Sequence, residues 1–195
     1  MCTKTLNQLL KSPLVAINNA KREKDIGKTI WILILTWVLV GLSFLLVSMR
    51  MLSPLMSVGI GVTFFLLGIL CSVFCSYIIV IIMNVLGGRG KYFEGLTVMT
   101  YSSFPISLGI FITALLTSIH PILGTIGFII IAVKTALSLS IYFRSVKVLF
   151  RTDMLTTFIG FLIVLYVFMI SIYLTIIMSS TVASPFLTNL VSAMA

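Results

Sequence analysis

Residues 86–105 read LGGRGKYFEGLTVMTYSSFP, and they lie between two long apolar runs. Three glycines and two cations open the stretch, a carboxylate follows, and a tyrosine and a proline close it. Glycine admits the left-handed backbone that ends a helix, so Gly87, Gly88 and Gly90 terminate the run before them. A phosphate-binding loop does not fit GGRGK. Val85 stands where the nucleotide motif needs its first glycine, and Tyr92 where it needs Ser or Thr. The stretch is a turn feeding a kinked helix. Pro105 has no N–H, so the carbonyl of Tyr101 loses its helical partner. In lipid that carbonyl needs another donor, and Ser102, Ser103 or a neighbouring helix are the candidates.

Composition makes the surroundings of this turn a membrane. The chain has 195 residues, 60% hydrophobic and 9% charged, with a mean hydropathy of +1.26. Soluble domains keep roughly a quarter of their residues charged. Five apolar runs, residues 30–47, 58–86, 96–119, 122–143 and 157–179, have the length of a membrane helix. None alternates apolar and polar residues as a barrel strand does. The expectation is an all-α integral membrane protein, a bundle of five transmembrane helices with short loops. Residues 1–29 form a cytoplasmic N-terminal amphipathic segment, 30–179 the transmembrane domain, and 180–195 an outer interfacial tail. The first span lies too far in and runs too long for a cleaved signal, so it reads as an anchor.

The cations give an orientation. Lys4, Lys11, Lys21, Arg22, Lys24 and Lys28 precede the first span. Arg89 and Lys91 lie in the second connection, and Arg144, Lys147 and Arg151 in the fourth. The first connection has Arg50 alone, and the third connection and the C-terminal tail have none. Cations concentrate in cytoplasmic loops, so the N-terminus is expected inside and the C-terminus outside. All four carboxylates fall on the inner side too, leaving it a surplus of seven positive charges. Lys21, Arg22, Lys24, Lys28, Arg89, Lys91, Arg144, Lys147 and Arg151 are therefore candidate contacts for anionic lipid. Nucleic acid is not an expected partner, because the charge is spread over short loops with no domain to present it.

Ser12-Pro13 opens a short amphipathic helix, with Leu14 and Ile17 on one face, read as lying apolar side down on the inner membrane surface. Gly68, Ser72 and Ser76 step four apart in the second span, Ala132, Ala136 and Ser140 in the fourth, and Ser171, Thr175 and Ser179 in the fifth. Such rows let helices approach closely. Cys71 and Cys75, one turn apart, read as small packing residues between helices. No disulfide, metal site or cofactor is expected.

Lys134 is the one charged residue inside a span. Folding the hairpin of the third and fourth spans about its midpoint places Lys134 opposite Pro105, roughly 13 Å from the inner boundary at helical rise. Tyr77 and Trp37 fall near the same depth, so Lys134, Tyr101, Pro105, Tyr77 and Trp37 form a candidate intramembrane polar site. Lys134 has three readings. It snorkels to headgroups, ties the freed Tyr101 carbonyl, or lines a polar cavity for an anion or lipid headgroup.

The turn Gly87-Gly88-Arg89-Gly90, then Tyr92, then Tyr101-Ser102 with Pro105, resembles the Yip family of Ypt/Rab-interacting membrane proteins. Its signature has glycine where this chain has Thr100, and the Asp-Leu-Tyr-Gly-Pro motif and long cytoplasmic domain of many eukaryotic members are absent. The chain is more similar to the short prokaryotic members, which implies a prokaryotic cell membrane. The resemblance implies a non-enzymatic membrane organiser or adaptor, with Tyr101 and Pro105 as signature positions. Expected partners are membrane lipids, anionic on the inner face, and a protein partner or a second copy of the chain in a homo-oligomer. Spans without Asp, Glu or His agree with the absence of acid–base catalysis. The alternative is an oligomeric channel or small transporter in which Lys134 selects an anion.

Overall fold

A computed structural model describes residues 8, 13–23, 25–50, 52–167, 169, 170 and 173. Among the described residues there are six helices and no strand. They are α1 (Pro13–Glu23), α2 (Ile26–Ser48), α3 (Pro54–Val85), α4 (Tyr92–Ile119), α5 (Pro121–Phe150) and α6 (Met154–Val167). The four helices α2 to α5 are long and apolar enough to cross a membrane. α6 opens the run read as a fifth span, and that run continues outside the described residues, as do the C-terminal tail, Lys24 and the Ser171-Thr175-Ser179 row.

Local chemistry fixes where the helices begin. Asp25 caps α2, its carboxylate accepting the Lys28 amide at 3.2 Å and facing the Lys28 ammonium at 3.3 Å. Pro54 and Pro121 stand in the first turns of α3 and α5, where a missing N–H costs nothing. Ser53 makes no side-chain cap, and His120 caps α5 instead through Nδ1, which accepts the Ile122 amide at 3.2 Å. The Glu94 carboxylate reaches back to the Lys91 amide at 2.9 Å and starts α4.

α4 is the central helix, packed against α2, α3 and α5, while α1 lies against α5. Small residues set these approaches. On α3, Gly61, Gly68, Ser72 and Ser76 are all buried. The Trp37 ring of α2 lies over Gly68, where a Cβ would collide with it, and its indole N–H donates to Ser72 Oγ at 2.8 Å. A Cβ on Gly95 of α4 would stand 2.6 Å from the Ser76 carbonyl. Glycine at these positions buys backbone proximity that no other residue permits.

The α5 row differs from the sequence reading. Ala132 and Ala136 are exposed, and the contact face runs instead through Gly124, Gly127, Lys134 and Ser138. Period-four spacing alone cannot choose between faces, because small residues lie on both sides of α5. Cys71 also faces outward and Cys75 is half-buried, their sulfurs 3.8 Å apart. α5 runs on to Phe150, so Arg144 and Lys147 are helical and only residues 151–153 form the connection. α1 also departs from expectation. Ala16, Ile17 and Ala20 share a buried cluster with Val146, Leu149 and Phe150 of α5, so this apolar side rests on protein.

Replacing Gly68 with Leu drives the side chain into Trp37 and is expected to cost about 1–3 kcal/mol of stability. Gly59 has open space where a Cβ would go, so Gly59→Ala is expected to be neutral or stabilising. Thermal unfolding of both variants in one detergent checks the contrast, and equal losses would contradict the packing described.

Candidate functional site

The residues proposed as an intramembrane polar site are not brought together. Tyr77 is 56% exposed on the outward face of α3, Trp37 is engaged with Ser72, and Tyr101 is 2% exposed in the core. Lys134 is half-buried, and its stem lies against Gly109, where a Cβ would meet Lys134 Cγ at 3.0 Å. The backbone register agrees with the folded hairpin, since Thr113 meets Gly127 and Ser138 meets Ser102. The side chain does not follow it. Cβ vectors tilt toward a helix's N-terminus, so Lys134 leans along α5 away from Pro105 and toward the next turn of α4.

The proline turn is served from α5 by a different residue. α4 runs through Pro105, and Ser138 Oγ donates to the Ser102 carbonyl beside the proline-weakened turn. The serines proposed as donors bond elsewhere. Ser102 Oγ donates to the Met99 carbonyl at 3.2 Å and Ser103 Oγ to the same carbonyl at 2.7 Å. Thr100, which replaces the signature glycine, is fully buried, and its hydroxyl has no partner among the described residues. Tyr142 and Ser145 carry two further buried hydroxyls of this kind.

What the structure does assemble is a braced platform at the basic end. The Leu86 end of α3 closes as a Schellman turn. The Gly88 amide donates to Met83 at 2.8 Å, the Gly87 amide to Asn84 at 3.1 Å, and Gly87 has φ 88°. The Asn84 side chain then grips Gly90 from both directions, donating to its carbonyl and accepting from its amide, each at 3.1 Å. The Phe150 ring fills the space where a Gly90 Cβ would stand, and the Arg89 amide donates to the Phe150 carbonyl at 3.0 Å. From the other side Lys21 Nζ donates to the Val148 carbonyl at 2.7 Å, a cation placed on the open C-terminal carbonyls of α5. The turn, the end of α5 and α1 are thereby one unit.

Arg22, Arg89, Lys91, Arg144, Lys147 and Arg151 are exposed on this end, and Lys28 is half-buried in its pair with Asp25. Arg151 ends α5 in the left-handed conformation at φ 56°. Asp153 caps α6 by accepting the Thr156 amide at 3.0 Å, and hydrogen bonding from the Thr156 side chain, together with that amide, holds its carboxyl below the usual carboxylate value. The Lys28 amide does the same for Asp25. Both carboxylates therefore remain charged among the cations at neutral pH. Among the described residues no group of three metal-ligating side chains comes together. Asn84 was missed by sequence reasoning, and its place six residues before a glycine inside a glycine-rich turn was the available signal.

The chain matches the Yip1 domain family over residues 7–178, which includes the turn, the Tyr101–Pro105 segment and every described helix. It belongs to the Yip family. No curated protein and no solved structure matches it.

Lys134 keeps its packing role through its stem, so Lys134→Met is expected to change stability by less than about 0.5 kcal/mol. Denaturant titration in detergent checks this. A loss near 3 kcal/mol would mean that the ammonium holds a buried partner.

Proposed function

We propose that this Yip-family chain is a non-enzymatic membrane organiser that works from the cytoplasmic side. In this reading it crosses the bilayer five times, with α6 beginning the fifth span, its N-terminus inside and its C-terminus outside. The observation that carries the proposal is the braced basic platform. Cations on loose loops would lose side-chain and backbone freedom on binding, whereas this backbone is already held by Asn84, Phe150 and Lys21. Such a surface suits anionic headgroups or an acidic protein segment, each cation adding about 1 kcal/mol when well placed.

A pore reading has less behind it. It needs Lys134 to face polar neighbours, and the stem of Lys134 faces Gly109 while Tyr77 and Trp37 are directed elsewhere.

The test is direct extraction from the native membrane into lipid nanodiscs, followed by native mass spectrometry of the wild type and of the Arg89→Gln/Lys91→Gln double variant. A retained anionic lipid or stoichiometric protein in the wild type is expected to be held roughly thirtyfold less tightly by the variant. A wild type that carries neither, or a variant that carries both unchanged, would contradict the proposal.

A further inference from the structure

The end of the bundle opposite the platform holds a cavity of about 160 Å³ between α2, α4 and α5. Its walls include Ser43, Val47, Ile110, Ala114, Thr117 and Ile131. The hydroxyls in that wall are spent on backbone. Ser43 donates to the Leu39 carbonyl at 2.6 Å and Thr117 to Thr113 at 2.8 Å. Thr113 Oγ1 lies 2.9 Å from the carbonyls of both Gly109 and Gly127. The cavity therefore shows carbon to its contents. This carbon-lined space is open to the surroundings of the bundle and suits hydrocarbon rather than water. Here the hydrocarbon at hand is an acyl chain.

Polar groups gather at the mouth. Arg50 follows Val47 by one turn, and its Nη2 donates to the carbonyl of Ser118, the residue after Thr117. A guanidinium has five N–H donors, so this bond leaves most of its fork for another acceptor. Ser118 Oγ is enclosed with no partner among the described residues. His120 turns Nδ1 to the Ile122 amide, which leaves Nε2 as its free nitrogen. A cation beside an apolar slot at a membrane boundary is the chemistry of a phospholipid.

We propose that the Arg50 end of the α2–α4–α5 junction binds one phospholipid, its phosphate on Arg50 and Ser118 and a short segment of one acyl chain in the cavity beneath. The site lies at the far end from the platform and does not depend on what the platform binds. Arg50 also caps the C-terminus of α4, and the experiment separates that duty from phosphate binding.

Protein in phosphatidylcholine nanodiscs is labelled with either of two probes, a phosphatidylglycerol or a diacylglycerol, each carrying a diazirine in the acyl chain. Labelled peptides are then mapped by mass spectrometry. The wild type is expected to be labelled in the 110–117 segment roughly fivefold more by the phosphate-bearing probe, the preference that one cation gives. In Arg50→Gln, an exposed position, that preference disappears while diacylglycerol labelling of the segment persists. Ala114→Leu fills the slot and removes labelling by both probes. Equal labelling by the two probes in the wild type, or a preference that survives Arg50→Gln, overturns the phosphate site. A fall in both probes with Arg50→Gln makes Arg50 a helix cap only and overturns it too. Labelling that survives in a folded Ala114→Leu variant overturns the cavity as the chain's seat. Should Ala114→Leu not fold, the two-probe comparison in the wild type and Arg50→Gln decides alone.

Discussion

In hydrocarbon, each polar group of a helix must find its partner within the protein, and among the described residues α4 buries more polar side chains than any other helix. Thr97, Ser102, Ser103 and Ser107 bond back to carbonyls three or four residues earlier in their own helix. With their hydroxyls spent locally, these four act as small side chains around which α2, α3 and α5 can close, while Thr113 reaches the Gly127 carbonyl of α5 and buried Thr100 has no partner among the described residues. Ser138 of α5 adds a cross-helix bond at the Ser102 carbonyl beside Pro105. The glycine contacts at positions 95 and 109 follow from this closeness, and Gly68 of α3 gives similar room to Trp37 of α2.

The same economy explains the two ends. α4 begins directly after the glycine turn, so the turn has no slack and must be fixed to whatever lies beside it. It is fixed to Asn84 and to the last residue of α5. α1 covers the next stretch of α5 and places Lys21 on its carbonyls. A basic surface with a rigid backbone results. At the other end α4 finishes under Arg50, and the helices leave a carbon-lined gap there.

Much of this was legible in the residues. Apolar length gave the helices, glycine gave the end of α3, and Tyr101-Ser102 with Pro105 gave the family. The Gly68-Ser72-Ser76 row named the true contact face of α3. Spacing failed on α5, where Ala132 and Ala136 had the same period as the real interface and faced outward. Depth also failed as a guide to contact. α5 runs on to Phe150, so Lys134 stands sixteen residues before its end while Tyr77 stands eight before the end of α3. Helix rotation, which depends on packing rather than on count, turns Trp37 to Ser72. The docking of α1 on α5 was hidden for a related reason. An apolar face states that it wants cover and does not state whether lipid or protein provides it.

The account rests on the platform and the Arg50 end lying on opposite sides of the membrane, the platform inside. The most direct measurement is cysteine labelling with a membrane-impermeant maleimide, in a chain with Cys2, Cys71 and Cys75 replaced by Ser. Arg50→Cys is predicted to label in intact cells and Arg89→Cys only in inside-out vesicles. Labelling of both positions from one side, or the reverse pattern, would contradict the orientation on which the functional reading stands.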